Sequence, residues 1–246
     1  MGRPVLVVPA GSGNDFARAL GLSKATDSLK AWQKFLIDQQ NMRVVDLGLI
    51  TSTSEPSASS SEAHSLLLEG IGQRPIYFSC VAGVGLDGEI ARRANSLPRW
   101  MRAHGGYALS LPPALFNFRA FDLKLSIVQG KPPEFCLRSQ QPVLAAIFAN
   151  TPVYGGGMRV APTAQLDDGQ LDVCVIRDIS KIKLLTVFPS VYFGRHLGIR
   201  EVDYFPAARI RVETDRPLDV YADGEHVGRT PVEIGVARQA LQVIVP

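Results

Sequence analysis

This sequence has no long apolar run, no paired-cysteine motif and little net charge. No apolar run approaches the ~18 residues of a membrane-spanning helix, and the N-terminus lacks the layout of a secretion signal, so any membrane contact is expected to be peripheral. The three cysteines, Cys80, Cys136 and Cys174, form no CxxC pair, which predicts reduced thiols in apolar strands and a cytoplasmic protein. A net charge of +3 over 246 residues gives no argument for nucleic acid as a partner and is compatible with phosphate ligands or an anionic membrane surface.

Several familiar catalytic motifs are also absent. No Gly-Lys-Ser/Thr follows the glycines near the N-terminus, which excludes a Walker A loop, and their spacing differs from the Rossmann fingerprint. No Gly-x-Ser-x-Gly elbow supports a hydrolase triad, and the four histidines show no metal-ligand spacing. With 46% hydrophobic and 20% charged residues, the chain is typical of a globular, loop-rich protein of one large domain or two small ones.

A glycine-rich loop follows the first apolar segment. Val5–Val8 is predicted to be a strand, and Pro9–Arg18 places two glycines, a hydroxyl and an Asn-Asp pair before a helical segment. Glycine lets backbone amides approach a ligand closely, and a helix N-terminus adds free N–H donors. The pattern predicts either a phosphate-binding loop or a plain strand-to-helix turn with Asn14 or Asp15 as N-cap.

Apolar spacing predicts the next elements. Gly21 is placed as a helix C-cap, residues 25–39 as a helix and residues 43–50 as a strand. The Ser-rich tract 51–65 is expected to be a disordered insertion within a hairpin, because it cannot bury enough apolar area to become ordered. Strand character resumes at 76–78.

Two further helices are predicted over residues 89–95 and 107–115, together with a basic stretch of Arg92, Arg93, Arg99, Arg102 and His104. This stretch is interpreted as a solvated helix face or as an edge that faces phosphates or headgroups. The apolar segment 107–118 favours a core helix over one that rests on a bilayer.

From residue 121 onward the sequence indicates short strands separated by Gly, Asp and Pro turns. The predicted strands are 121–128, 134–139, 142–149, 171–177, 207–213, 217–222, 232–235 and 240–245. One predicted helix, residues 180–195, interrupts them. Regular short strands of this kind favour a β-sandwich or a barrel-like domain.

Three acidic turns carry candidate chemistry. Residues 167–172 (Asp-Asp-Gly-Gln-Leu-Asp) offer carboxylates and exposed carbonyls, a donor set suited to Mg²⁺ or Ca²⁺. Residues 223–225 (Asp-Gly-Glu) follow a β run, where a positioned carboxylate can accept a hydroxyl proton during phosphoryl transfer. For both, the local sequence favours an ordinary hairpin turn over a site. Asp87 is expected to cap the helix that follows it.

Taken in order, these motifs resemble the bacterial diacylglycerol kinase-like lipid kinases, a family related to sphingosine kinases and, more distantly, NAD kinases. The matching stretches are Pro9–Arg18, Val45–Gly48, Tyr77–Asp87, Ala149–Asp172 and Asp223–Pro231. They extend over essentially the whole chain. The resemblance implies an α/β plus all-β protein: a partial N-terminal α/β nucleotide-binding domain over residues 1–45, a larger β-sandwich domain over residues 46–246, and an active site between them.

The resemblance also implies roles for the glycine-rich loop, with ATP as the phosphate donor. Ser12 stands where the family has a threonine that contacts ATP, and the hydroxyl is retained. Gly11, Gly13 and Asn14 would shape the same phosphate-side loop.

Two acidic segments receive roles in the same way. Asp168, with the backbone carbonyls of Gln165 and Gln170, matches a structural Mg²⁺ site. Asp223 and Glu225 match the acidic pair from which the general base for the lipid hydroxyl is drawn. The sequence leaves open which of the two is the base.

One departure from the family pattern affects the expected activity. The family's main nucleotide motif, Gly-Gly-Asp-Gly-Thr, precedes the Pro-x-Gly-Thr segment and has no counterpart in this sequence, so we expect a chain that lacks the first part of the nucleotide domain. The leading hypothesis is an ATP- and Mg²⁺-dependent kinase, or an inactive fragment of one, acting on the hydroxyl of diacylglycerol or a related lipid at a membrane surface. The alternatives are a non-catalytic lipid-binding pseudokinase module and an NAD kinase-like activity. The lipid and the oligomeric state, with a homodimer among the options, stay open.

Overall fold

The computed structural model describes residues 3–11, 13–53, 75–97 and 106–246. Within them the chain forms mostly one large antiparallel sheet of eleven strands, with few helices. The strands are β1 Met42–Ser52, β2 Ile76–Phe78, β3 Val81–Gly85, β4 Phe121–Gln129, β5 Glu134–Ala149, β6 Leu171–Arg177, β7 Val202–Ala207, β8 Arg209–Thr214, β9 Asp219–Ala222, β10 Glu225–Arg229 and β11 Val232–Ile244. The α-helices are α1 Asp15–Ala19, α2 Ala25–Asp38, α3 Leu86–Ser96, α4 Gly106–Asn117 and α5 Lys181–Val187. No described helix is long and apolar enough to cross a bilayer.

The sheet branches at its longest strand, β5. Its strand order is β10-β9-β3-β5-β4-β8-β11-β1-β2, and β6 and β7 branch from β5. One edge of β5 pairs with β4 as far as Val143 and then with β3 from Ala145, while β6 pairs with the other edge. The strands β3, β9 and β10 and the strands β4, β8, β11, β1 and β2 therefore diverge from β5 and enclose a common core. Its largest buried side chains include Phe121, Phe148, Leu125, Leu171, Ile210 and Ile234.

The helices cover two ends of this sheet. α1, α2 and the turn between them pack on the β1–β11 pair, where Leu20 and Leu22 of the turn and Ala31 of α2 share a buried cluster with Val45 and Val243. α3, α4 and α5 pack together over the middle of β5 and bury a second apolar cluster. Burial of apolar area stabilises both contacts. The loops next to these helices are therefore held at fixed positions on the sheet.

Several predicted elements are confirmed. α2 lies within the predicted 25–39 helix, and β1 and β2 pair antiparallel, as an interrupted hairpin requires. Gly21 follows the end of α1 with φ 82°, a conformation that favours glycine. The three cysteines are free thiols; Cys80 and Cys174 are buried, whereas Cys136 on β5 is exposed.

Other predictions are wrong, for local reasons. Val5–Val8 forms no strand; Val5 makes one isolated parallel bridge to Val243. The predicted breaks at 140–141 and 236–239 do not occur. β5 continues through Pro142 beside a bulge, where a missing N–H is tolerated. β11 continues because Gln239, with φ 53°, lies in a bulge of β11, where residues 238–240 face Asp46 of β1.

The remaining differences concern element ends and elements that the pattern did not indicate. β7 and β10 were not predicted, and the 180–195 helix ends at Val187, followed by two 3₁₀ turns, Phe188–Phe193 and Arg195–Gly198. Of the polar tract 51–65, residues 51–52 belong to β1 and residues 54–65 lie outside the described residues. Of the basic stretch, Arg99, Arg102 and His104 also lie outside them, whereas Arg92 and Arg93 are part of α3 and pair with Glu89.

Candidate active-site cleft

A cleft with a volume of about 510 Å³ lies between the N-terminal glycine loop, α3 and the β9–β10 turn. The glycine loop lines one wall through Gly11, Gly13 and Asn14, and the β9–β10 turn lines another through Asp223 and Gly224. The sequence predicted these residues as parts of one site, and the fold brings them together.

The other predicted site residues lie elsewhere. Ser12 lies outside the described residues. Glu225 follows the lining residue Gly224 as the first residue of β10. The described residues Gln165, Asp168 and Gln170 are not among those that line the cleft.

Asn14 shapes the glycine loop from within. It is the N-cap of α1, as one interpretation predicted, but its side chain makes no capping bond. Instead, the Gly11 amide donates to Asn14 Oδ1 at 2.8 Å, and Asn14 Nδ2 donates to the Gly11 carbonyl at 2.7 Å. The loop is therefore fixed internally, and the Gly11 amide is already engaged.

Asp15 connects this loop to the opposite wall, a role the sequence did not indicate because Asp15 was considered only as a cap. The Gly156 amide donates to Asp15 Oδ2 at 3.3 Å, and Arg18 pairs with Oδ1 at 3.1 Å. Burial raises the pKa of the Asp15 carboxyl above its usual value, although both partners oppose that shift. The wall around this carboxylate is thus poorly hydrated.

The Asp223-Gly224 turn is the two-residue hairpin that the local sequence favoured. Ala222 pairs with Glu225, and both turn residues have positive φ, 49° and 88°. The Gly224 carbonyl accepts a hydrogen bond from Asn95 Nδ2 at 2.6 Å. The turn is therefore held rigidly against α3.

The carboxylate of Asp223 is saturated with hydrogen bonds. Oδ2 accepts from the Ser79 amide at 2.7 Å and the Ser79 hydroxyl at 2.8 Å, and Oδ1 accepts from the amides of Cys80 at 2.9 Å and Val81 at 3.1 Å. An ionised carboxylate has about four lone-pair sites, so four donors use all of them. Asp223 thus anchors the β9–β10 turn to the start of β3.

Glu225 differs from Asp223 in this respect. Its side chain is exposed. No hydrogen bond or ion pair to another described residue involves its carboxylate. Of the two acidic residues, Glu225 alone has lone pairs free for a substrate proton.

Asp87 and Tyr154 form the inner wall of the cleft. The prediction that Asp87 caps α3 is wrong: the N-cap is Gly85, and Asp87 lies inside the first turn with its Oδ1 accepting from the Tyr154 hydroxyl at 2.5 Å. Gly83 leaves room for this carboxylate, because a Cβ at Gly83 would lie 1.8 Å from Asp87 Oδ2.

A second cavity, of about 70 Å³, shares the Asp87–Tyr154 wall with the cleft. Its lining is almost entirely apolar and includes Leu86, Ile90, Leu111, Ile147, Leu184 and Phe188. The one histidine in the lining, His196, is buried, contacts the Val160 carbonyl through Nε2 at 3.1 Å, and has its pKa lowered by desolvation. It is therefore uncharged at neutral pH, and the cavity suits hydrocarbon.

The turn with the predicted metal ligands is built on Asp46. This buried residue of β1 lies opposite the β11 bulge, and its carboxylate accepts from the Gly169 amide at 2.7 Å and the Gln239 amide at 2.6 Å. Asp168 Oδ1 accepts from the Gln170 amide at 2.9 Å. No strand lies in residues 150–170, all of them described, so the hairpin interpretation of this turn is wrong.

The donors at this turn define what kind of cation it could hold. Among the described residues, no group of three or more His, Cys, Asp or Glu side chains converges. A cation would therefore be bound by the Asp168 carboxylate and carbonyl oxygens, a set that suits a hard ion. Arg238 Nη2 lies 3.4 Å from the Asp168 carbonyl oxygen and already supplies positive charge there.

Comparison with known proteins identifies two matching families along the chain. Residues 80–245 match the YegS C-terminal NAD kinase beta sandwich-like domain. Residues 2–50 match the diacylglycerol kinase catalytic domain. The first match ends at Ile50 inside β1, and the second begins at Cys80, just before β3.

Individual relatives agree with this assignment. The diacylglycerol kinase of Mycobacterium tuberculosis (strain ATCC 25618 / H37Rv) is 31% identical over 247 residues, covering 99% of this chain and 69% of that protein. The diacylglycerol kinase of Bacillus subtilis (strain 168) is 25% identical, covering 99% of this chain and 70% of that protein.

Solved structures show the same fold. One from Bacillus anthracis str. Sterne, described as a proposed diacylglycerol kinase, has a TM-score of 0.68 at 21% identity, covering 99% of this chain and 70% of that chain. Another from the same organism, described as a diacylglycerol kinase, has a TM-score of 0.60 at 17% identity, covering 97% of this chain and 65% of that chain. The chain therefore belongs to the bacterial diacylglycerol kinase-like lipid kinase family.

Proposed function

We propose that the protein transfers phosphate from ATP to the hydroxyl of a membrane lipid, with diacylglycerol as the first candidate acceptor. The observation that carries this proposal is the cleft itself, which joins a glycine loop and an acidic turn to an apolar cavity. Phosphoryl transfer needs the first two elements, and a lipid acceptor needs the third. The chain spans 69% of the length of the Mycobacterium tuberculosis relative.

The phosphates of ATP would lie between two glycine-rich segments. Gly13 lines one side, and Gly155 and Gly156 line the other with φ values of 60° and 84°. Amides of consecutive positive-φ residues form concave anion sites; here the Gly156 amide already donates to Asp15, so a phosphate would bind there by displacing that carboxylate. The described residues that line the cleft include no Lys or Arg, so backbone amides would provide most of the protein's share of charge neutralisation. Mg²⁺ bound with the nucleotide would supply the rest.

Glu225 is proposed as the general base. Its carboxylate would take the proton of the lipid hydroxyl while the hydroxyl oxygen forms a bond to the γ-phosphorus and the bond to the ADP oxygen breaks. Asp223, with its lone pairs occupied, would position the turn that carries Glu225. This assignment separates two residues that the sequence left equivalent.

The apolar cavity would hold hydrocarbon next to the reacting group. Because Asp87 and Tyr154 line both spaces, an acyl chain for which the cavity widens beyond its present volume of about 70 Å³ would leave the glycerol end of the lipid at the cleft. The Asp87–Tyr154 pair would then meet the polar part of the acceptor.

The predicted Mg²⁺ site at Gln165, Asp168 and Gln170 is retained as a structural proposal. These residues lie on a turn pinned by Asp46 and not in the cleft lining. A cation there would stabilise the entry into β6, and no step of the transfer passes through it.

The test is transfer of labelled phosphate from ATP to diacylglycerol in mixed micelles with Mg²⁺. Activity of the chain that is lost in Glu225→Gln would support the proposal, and NAD offered as a competing acceptor should remain unlabelled. If labelled NAD forms instead, the acceptor assignment is wrong. If the folded chain transfers nothing but binds diacylglycerol, the non-catalytic lipid-binding alternative is favoured.

A further inference from the structure

The outer face of α4 is apolar although it faces water. Leu109, Pro113 and Phe116 recur at helical spacing along that face and are exposed, with 55% exposure at Leu109 and 58% at Phe116. The helix contains no charged residue at all. A surface helix of a soluble domain normally carries polar side chains on its outer face, so this face calls for an explanation.

α5 extends the same surface. Lys181 Nζ donates to the Phe116 carbonyl at 2.6 Å, which joins the C-terminal end of α4 to the start of α5. The next residue, Ile182, is 75% exposed. We call Leu109, Pro113, Phe116 and Ile182 the α4–α5 surface.

The inner faces of these two helices line the apolar cavity. Leu111 of α4 and Leu184 and Val187 of α5 all contribute to its wall. The same cavity reaches Asp87 and Tyr154 at the cleft. The α4–α5 surface is therefore separated from the hydrocarbon-lined space by the thickness of one helix layer.

The charges around the surface are weakly positive. Arg119 and Lys181 lie at the junction of the helices, and Lys183 is matched by Glu201 at 2.7 Å. Asp178 is the acidic residue nearest in sequence. Lys181 is held by the Phe116 carbonyl, whereas the exposed Arg119 side chain can extend from the rim of the apolar face to lipid headgroups.

We propose that the α4–α5 surface docks on the face of a lipid bilayer containing anionic lipids, with its apolar side chains in the headgroup–acyl boundary. Four side chains cannot supply the ~800 Å² per partner that a stable protein interface buries, whereas a bilayer needs no shape complementarity. The purpose of docking, direct entry of the acceptor lipid into the cavity, rests on the proposed function. The binding itself does not.

The experiment is co-sedimentation of the full chain with vesicles of phosphatidylcholine and phosphatidylglycerol, without ATP. Phe116→Ser should weaken binding about tenfold, because it removes a large part of the apolar area that enters the membrane. Ile182→Ser, at an even more exposed position, should weaken it similarly. The matched control is Leu137→Ser, since Leu137 is 60% exposed on β5, away from this surface. It should bind like the unchanged chain.

Three results would overturn the proposal: no binding of the unchanged chain, binding of both α4–α5 variants at its level, or an equal loss in Leu137→Ser. Self-association that is abolished by Phe116→Ser would overturn it in favour of a second copy. Because no ATP is present, failure of phosphate transfer alongside the expected vesicle binding would count against the proposed function alone.

Discussion

Replacing Asp223 by asparagine should destabilise the protein as well as reduce phosphate transfer, whereas Glu225→Gln should affect transfer alone. Asparagine tolerates the positive φ of this position, so the turn itself can form. It retains one acceptor oxygen, but its amide group would face either the two donors of Ser79 or the amides of Cys80 and Val81. Two hydrogen bonds to a charged group are lost.

The magnitude follows from those two bonds. A hydrogen bond to a charged group contributes about 1.5–3 kcal/mol, and the exposure of Asp223 places it at the lower end. We expect a loss of about 3 kcal/mol, which for a chain of this size lowers Tm by about 6–12 °C. Glu225 has no such partners, so Glu225→Gln should change stability by less than about 0.5 kcal/mol.

The assay is thermal unfolding at pH 7 followed by circular dichroism, with the micelle transfer assay run on the same preparations. Ser79→Ala, which removes only the hydroxyl donor, serves as the intermediate control and should lower the free energy of unfolding by about 1 kcal/mol. A Tm for Asp223→Asn equal to that of the unchanged chain, with transfer abolished, would refute the anchoring role. It would make Asp223 the base.

Three further outcomes are expected. Gly83→Ala should destabilise the protein by about 2 kcal/mol or more and displace Asp87, since the new Cβ would lie 1.8 Å from its carboxylate; urea unfolding measures this, and an unchanged midpoint would contradict it. Asp15→Asn should raise Tm at pH 7 and lose that advantage as the pH falls below the ordinary Asp pKa. The reason is that desolvation raises the pKa of Asp15, so the charged form disfavours folding only where Asp15 is ionised; a pH series of melts tests the sign. Cys136 should react with a thiol reagent in the native state, whereas Cys174, buried and with a pKa raised to about 12, should react only on unfolding; mass spectrometry distinguishes them, and equal rates would argue against the described burial.

The helices and strands with strong local patterns could be predicted from the sequence. α2 has apolar residues at helical spacing, β4 alternates apolar and polar residues, and β6 is a mostly apolar run. The short strand β10 and the continuous β11 could not be predicted, because Glu225–Arg229 is polar and Arg238-Gln239 resembles a turn. Their strand pairing depends on partners distant in the chain.

The sequence by itself determined the family, the glycine loop and the acidic turn, because each is a short run of residue types whose order is informative without contacts. Tertiary structure decided how those segments work together. Only the fold brings Ser79 to Asp223 and Gly156 to Asp15, and only the packing of α4 and α5 on β5 creates an apolar cavity beside the cleft. These are contacts between residues far apart in the chain. The order of residues along the chain does not indicate which distant donor forms a hydrogen bond to a given carboxylate.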